Sequence, residues 1–304
     1  MNPLEIDSLS KRYGERQALD ALSFTVPPGE IFGFVGSNGA GKTTTMRIAV
    51  GVLAADEGEV RWGGTPVSVR DTARFGYMPE ERGLYPKMTV AKQLVYLGRL
   101  HGLSASEGRD AMVRWTERLH LSEYRDKTVE SLSLGNRQRV QLAAALVHDP
   151  DVLILDEPFS GLDPFAVQDM SAVLKEKAAQ GTPVLFSSHQ LELVEKLCDR
   201  VAVVRRGRLA ACGSLDALRS QAPARIHFVV EGAAANWPDG VDAVASYERL
   251  DDGVLVELAG THTENDLLRA AMPHGTVRRM TWHQPTLTDM FCDLIESPEG
   301  GTDR

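Results

Sequence analysis

Ile31-Phe32-Gly33-Phe34-Val35-Gly36-Ser37-Asn38-Gly39-Ala40-Gly41-Lys42-Thr43-Thr44 is the stretch on which the reading of this chain turns. Its first five residues are an apolar run, long enough for a buried strand and too short for a helix. Gly36 to Thr43 then fit G-x-x-x-x-G-K-[ST], and Thr43 to Val50 continue as a helix. Strand, glycine-rich loop and helix in that order make a phosphate-binding loop. Glycines let the backbone fold around an anion, and successive N–H groups and the helix N-terminus point at it. Gly36, Ser37, Asn38, Gly39, Ala40, Gly41, Lys42, Thr43 and Thr44 are the candidate binding residues. Lys42 supplies a point charge for the β- and γ-phosphates, and Thr43 offers its hydroxyl to Mg²⁺.

Outward from this loop, short apolar runs alternate with helical patterns to about residue 215. Ile31 to Val35, Val152 to Leu155, Val184 to Ser187 and Val201 to Val204 read as buried strands of a largely parallel sheet covered by helices. The segment Leu4 to Pro28 reads as a hairpin leading into that core. From Pro79 to about Val129 the strand signal vanishes, and Val90 to Leu103 and Ala105 to Leu121 follow helical spacing. After Gly213 the character changes. Strands are expected at Ala224 to Val230, Val254 to Leu258 and Val277 to Trp282, and helices at Glu264 to Met272 and Leu287 to Ile295. The expected organisation is an α/β core over 1–220 with an inserted helical lobe at about 86–148, a small α+β domain at 221–296, and a loose tail at 297–304.

Val152-Leu153-Ile154-Leu155-Asp156-Glu157-Pro158 is an apolar strand ending in two carboxylates, where open α/β sheets bind ligands. Asp156 suits the magnesium shell, and Glu157 suits orienting or deprotonating an attacking water. Upstream lies Leu132-Ser133-Leu134-Gly135-Asn136-Arg137-Gln138, opening a helix that runs to about Val147. With this third element the chain resembles the ABC (ATP-binding cassette) ATPases, whose signature has the usual form LSGGQ. Ser133 and Gly135 match, whereas Leu134 and Asn136 depart. The Ser133 hydroxyl and nearby N–H groups at a helix N-terminus suit a γ-phosphate. Taken alone, Ser133 would be an ordinary helix N-cap.

The resemblance covers roughly residues 4–215 and implies a P-loop NTPase core of ABC type. It assigns Tyr13 to stacking on adenine, Ser160-Gly161-Leu162-Asp163 to linking the two sites of a dimer, and His189 to a γ-phosphate contact. Where the family carries a glutamine as magnesium ligand, this chain reads Pro79-Glu80-Glu81. Glu80 is the best match, with Glu81 its alternative. A carboxylate suits a hard cation but adds negative charge beside the phosphates. Thr43, Glu80 and Asp156 are thus the metal candidates, and Lys42, Glu157 and His189 the catalytic ones. Each ATP is expected between the loop of one subunit and Ser133, Gly135 and Asn136 of the other, in a homodimer or a heterodimer with a similar ATPase. A separate integral membrane permease is the expected partner, docked near Glu80 to Lys87, with Tyr85 and Pro86 as candidate contacts. The Arg82 to Lys87 stretch and the C-terminal appendage resemble exporter subunits.

Composition narrows the alternatives. With 33 basic against 42 acidic residues the net charge is −9, which argues against a nucleic-acid binder dependent on phosphate neutralisation. Cys198, Cys212 and Cys292 are odd in number and lack metal-ligand spacing, as fits buried thiols in a reducing cytoplasm. No basic stretch followed by an apolar run opens the chain, and no apolar stretch reaches the ~20 residues of a spanning helix. The expected location is cytoplasmic, peripheral on the inner face of the cell membrane. The runner-up reading is a soluble ABC ATPase outside transport. A repair enzyme would carry a long coiled coil and a translation factor two cassettes, and this chain has neither.

Overall fold

A computed structural model describes residues 2–81, 83–220, 225–283 and 285–290. Ala224, Arg82, Cys292, residues 291–295 of the expected last helix and the tail at 297–304 lie outside the described residues. Packing divides the chain into two compact units, Met1–Leu215 and Asp216–Arg304.

The first unit opens with the expected hairpin, β1 (Leu4–Tyr13) and β2 (Arg16–Val26). β3 (Ile31–Val35) and α1 (Lys42–Ala49) flank the glycine-rich loop, and β4 (Glu57–Trp62), β5 (Thr65–Pro66), α2 (Val69–Thr72) and β6 (Phe75–Met78) follow. α3 (Val90–Leu100), α4 (Ala105–Arg118) and α5 (Leu134–Leu146) form the helical lobe. The chain then alternates β7 (Val152–Leu155), α6 (Pro164–Ala179), β8 (Val184–Ser188), α7 (Leu191–Leu197) and β9 (Arg200–Arg205) before β10 (Arg208–Ser214); α8 (Leu215–Arg219) begins at the last residue of this unit and continues into the second.

The central sheet runs β10-β9-β3-β8-β7-β6, parallel except for the β9–β10 pair. Every residue of β3, β7 and β8 is buried, which is why these strands read as uninterrupted apolar runs. A second, antiparallel sheet of order β2-β1-β4-β5 packs on it. Phe24 of β2 stacks on Phe32 at 5.4 Å and lies 5.0 Å from Phe34, both on β3. This clamp holds the hairpin over the glycine-rich loop, and truncating Phe24 to alanine would cost about 3–5 kcal/mol.

β4, β5 and β6 are strands that the periodicity did not reveal. In Glu57–Trp62 only Val60 is buried, so alternation is too weak to see, and Phe75–Met78 is a short strand interrupted by Gly76. The helix expected from Ala105 to Leu121 stops at Arg118, because the backbone turns left-handed at His120, with φ 57°. The buried Leu119 and Leu121 belong to that turn.

The second unit contains β11 (Arg225–Glu231), β12 (Val244–Leu250), β13 (Gly253–Leu258), α9 (Glu264–Ala271) and β14 (Thr276–His283). Its antiparallel sheet has the order β12-β13-β11-β14. Ile226, Phe228, Trp237, Val254 and Val256 form its own core with Leu267 and Ala271 of α9. Asp266 closes a capping box with Thr263, which fixes where α9 begins.

In the first unit, His101 after α3 and His148 after α5 stack at 3.7 Å with rings 14° from parallel. Nδ1 of His101 lies 2.7 Å from the Ala73 carbonyl, and Nε2 of His148 lies 3.2 Å from the Phe75 carbonyl. The two imidazoles therefore tie the lobe to the start of β6. Burial, with the neighbouring His101 second, pushes His148 down to about 4. The folded state keeps His148 neutral, while the unfolded chain protonates it near the ordinary 6.5. Stability is therefore complete above that value and falls as the pH drops toward 4, by up to about 3 kcal/mol. Urea denaturation at pH 7 and 4.5 should show His148→Gln losing markedly less stability on acidification than the parent chain. Equal losses in both would contradict this role.

Candidate functional site

The glycine-rich loop follows the C-terminal end of β3 and winds into α1. Gly41 takes φ 109° as the N-cap residue, and a Cβ there would meet the Ala18 carbonyl oxygen at 2.7 Å. Only glycine lets the hairpin come this close while the loop turns. A Cβ on Gly36 would lie 2.5 Å from the Val204 carbonyl oxygen, so the loop is wedged between β2 and β9. Ala40 is buried, and its N–H donates to the Ser37 carbonyl at 3.1 Å.

Lys42 is 7% exposed, and its Nζ donates to the Gly36 carbonyl at 2.6 Å. The Ser37 carbonyl lies at 3.5 Å and Glu157 Oε1 at 3.8 Å. The ammonium is thus held at the base of the loop by carbonyls and a carboxylate before any anion arrives. Glu157 follows β7 with φ 50°, a left-handed conformation costing about 1–3 kcal/mol, which the surrounding hydrogen bonds impose. Its N–H donates to Ser187 Oγ at 2.8 Å, and that hydroxyl donates to Asp156 Oδ1 at 2.6 Å. Ser187 therefore spaces the two acidic residues, a role that no sequence pattern pointed to. The Nδ1 of His189 lies 2.9 Å from Glu157 Oε2, a distance at which an imidazole N–H donates to the carboxylate.

Tyr13, Asn38, Gly39, Gly41, Lys42, Thr43, Thr44, Glu80, Asp156 and Glu157 line one cleft of about 370 Å³, together with Arg16 and Ala18, which the motifs did not mark. Glu80, not Glu81, lines it; Glu81 faces a second groove that Glu80 also borders. Burial raises the Glu80 carboxyl above the ordinary glutamate value, helped by Asp156 and Glu157 and opposed by Lys42. Asp156 is 1% exposed, and its Oδ2 is buried with no partner among the described residues. That orphaned oxygen, the Thr43 hydroxyl and the Glu80 carboxylate are all hard oxygen donors, so the cleft fits Mg²⁺.

The structure does not bring the remaining candidates into this cleft. Ser133 caps α5, its Oγ accepting from the Asn136 N–H at 3.3 Å, and it stays exposed, with Gly135 and Asn136 half-buried beside it. Leu134 lies against the linking segment, and a Cβ on Gly161 would meet its Cδ2 at 2.8 Å. Asp163 caps α6, accepting from the N–H groups of Phe165 and Ala166, each at 3.0 Å.

Comparison with known proteins gives the family. The family described as ABC transporter matches residues 19–160, and the family "ATP-binding protein DrrA1-3-like, C-terminal domain" matches residues 213–295. An uncharacterised ABC transporter ATP-binding protein of Bacillus subtilis is 36% identical over 292 residues, covering 96% of this chain and 98% of the relative. The Nod factor export ATP-binding protein I of Paraburkholderia xenovorans is 43% identical over 71% of this chain and 72% of its own length. A solved ATP-binding subunit of an ABC transporter superposes with a TM-score of 0.67 at 31% identity, over 72% of this chain and 92% of that one. The chain belongs to the ATP-binding proteins of ABC transporters and has the ATPase cassette fold of that family.

Three carboxylates in one cleft repel an incoming polyphosphate. Glu80→Gln should therefore tighten binding of metal-free ATP about 3- to 10-fold, measured by calorimetry in EDTA. Unchanged affinity would mean that Glu80 points its charge away from the phosphates.

Proposed function

We propose that this subunit hydrolyses ATP as half of a two-fold dimer and transmits the opening of that dimer to a separate membrane-embedded partner, in export. The observation that carries the dimer is the exposed N-terminus of α5. Ser133 sits outside the cleft lined by the phosphate loop of its own chain, with its hydroxyl already used as a helix cap. A second copy, placed head to tail, would offer Ser133, Gly135 and Asn136 to the open side of that cleft.

Within each site Lys42 holds the β- and γ-phosphates, and the loop N–H groups and the α1 N-terminus cradle them. Tyr13 offers its ring to the base, and Asp163 orders the segment linking the two sites. Thr43, Glu80 and Asp156 would hold Mg²⁺, which would offset the negative charge of the phosphates there. Glu157 orients the attacking water and takes its proton, and His189, hydrogen-bonded to Glu157, keeps that carboxylate aimed. Loss of the γ-phosphate removes the bridge between subunits, and the population shifts to the open dimer.

The partner surface is assigned to the second groove, about 670 Å³, bordered by Glu80, Leu84, Pro86, Glu130 and Gln138 among others. Glu80 borders both this groove and the nucleotide cleft, so the two share a side chain through which they can communicate. Tyr85 is half exposed beside it and packs edge-on against Tyr96. Among the described residues no helix is long and apolar enough to cross a membrane, and in this reading a separate protein supplies the passage. Export is supported by the Nod factor export relative. A cytoplasmic location, peripheral on the inner membrane face, follows from this reading.

Glu157→Gln should lower ATP turnover by about 10²–10⁴-fold and trap an ATP-bound dimer on light scattering, with Ser133→Arg returning it to monomer. A Glu157→Gln chain that stays monomeric at saturating Mg-ATP would sink the shared-site mechanism. The transport assignment is checked by the proteins that co-purify from detergent-solubilised membranes, where an integral protein without its own ATPase is expected.

A further inference from the structure

Arg16 is absorbed by none of the motifs, yet it stands at the mouth of the nucleotide cleft. It is the first residue of β2, and its register partner across the hairpin is Tyr13, the last residue of β1. Paired positions on neighbouring antiparallel strands project from the same face, with Cβ atoms about 5 Å apart. Ala18, two residues further along β2, lines the cleft as well, as the alternation of a strand requires. The face of the hairpin that carries Tyr13 therefore also carries Arg16 into the site.

The guanidinium reaches the tip of the phosphate loop, where Nη2 donates to the Gly39 carbonyl at 3.4 Å. That is a long hydrogen bond to a neutral acceptor, and no carboxylate pairs with Arg16 among the described residues. Lys42 is differently placed, since Gly36 and Ser37 carbonyls and Glu157 surround its ammonium at the base of the loop. The cleft thus has a committed cation at its deep end and an uncommitted one at its mouth. A triphosphate with its terminal groups at Lys42 and its base at Tyr13 would carry its inner end toward Arg16, the register partner of Tyr13.

We infer that Arg16 clamps the α-phosphate and ribose of the bound nucleotide, exchanging its long bond to Gly39 for charge-assisted bonds to the nucleotide. This rests on the ATP site proposed above and deepens it by assigning what grips the part of the ligand that ATP and ADP share. A guanidinium suits the task because its fork of N–H donors spans two phosphate oxygens, or one phosphate oxygen and a ribose hydroxyl. The Phe24 clamp holds the hairpin to the central sheet, so the fork is carried on a rigid strand. Because the contact is equal for substrate and product, it governs affinity and not the rate of the chemical step.

The test compares the full-length parent, Arg16→Ala and Arg16→Lys by calorimetric titration with Mg-ATP and Mg-ADP and by steady-state ATPase. Arg16→Ala should weaken both nucleotides by the same factor, on the order of 10-fold, and raise KM with kcat within about twofold. Arg16→Lys should recover only part of the loss, because a single ammonium lacks the fork. Unchanged affinities in Arg16→Ala would overturn the inference, as would loss of ATP affinity with ADP untouched, which would point to the γ-phosphate. Arg16 is exposed, so thermal unfolding of the variants should match that of the parent, and a large shift would assign Arg16 to structure instead. The parent's own titration keeps the two readings apart: if the parent binds no ATP, the underlying nucleotide reading falls, independently of Arg16.

Discussion

A buried ammonium is the constraint around which this molecule is arranged. Lys42 sits 7% exposed at the junction of a strand, a glycine-rich loop and a helix, and a charge so placed is costly unless it is surrounded. Two loop carbonyls and Glu157 surround it. Each of those partners then becomes a positioned group. The Gly36 and Ser37 carbonyls are turned toward the ammonium, which fixes the curl of the loop around it. Glu157 is drawn into a left-handed backbone conformation that only a tightly bonded neighbourhood sustains. Ser187 supplies that neighbourhood, bonding the Glu157 N–H and the Asp156 carboxylate from the adjacent strand. The parallel pairing of β7 and β8 is what brings Ser187 to both acidic residues.

The same cleft carries more negative charge than a phosphate site would be expected to tolerate. Glu80, Asp156 and Glu157 face two cations, Lys42 and Arg16. Glu157 lies close to both Lys42 and His189, and the buried Asp156 Oδ2 has no partner among the described residues, so in the proposed reading a divalent cation would complete this set. Glu80 also borders the neighbouring groove, so one side chain has reason to respond to events on both sides. The His101–His148 stack anchors the lobe that forms one wall of this region, with both rings bonded to backbone on the way into β6. The second unit, by contrast, is built on a core of its own around Phe228, Trp237 and Val256, and its four strands are antiparallel.

Much of the fold was legible because buried parallel strands must be apolar on both faces. Ile31–Val35, Val152–Leu155 and Val184–Ser188 announce themselves in that way, and Gly, Pro or acidic punctuation fixes their ends. The exposed antiparallel strands were less visible. Glu57–Trp62 has a single fully buried residue, and Val244–Leu250 has none, so no hydrophobic alternation survives in them. The end of α4 was misplaced because apolar residues continue past it, and only the left-handed turn at His120 separates helix from loop.

For the site, the amino-acid sequence by itself determined the chemistry. Loop glycines, Lys42, Thr43, the Asp156-Glu157 pair and the Ser133 helix start are local patterns, and local backbone physics suffices to interpret them. Tertiary structure decided which groups meet. It chose Glu80 over Glu81 for the cleft, placed Ser187 between two carboxylates, seated Arg16 beside Tyr13, and left Ser133 facing outward. Those outcomes depend on strand register and on which face a side chain takes. Register is set by the packing of the whole sheet, which no short stretch of sequence contains.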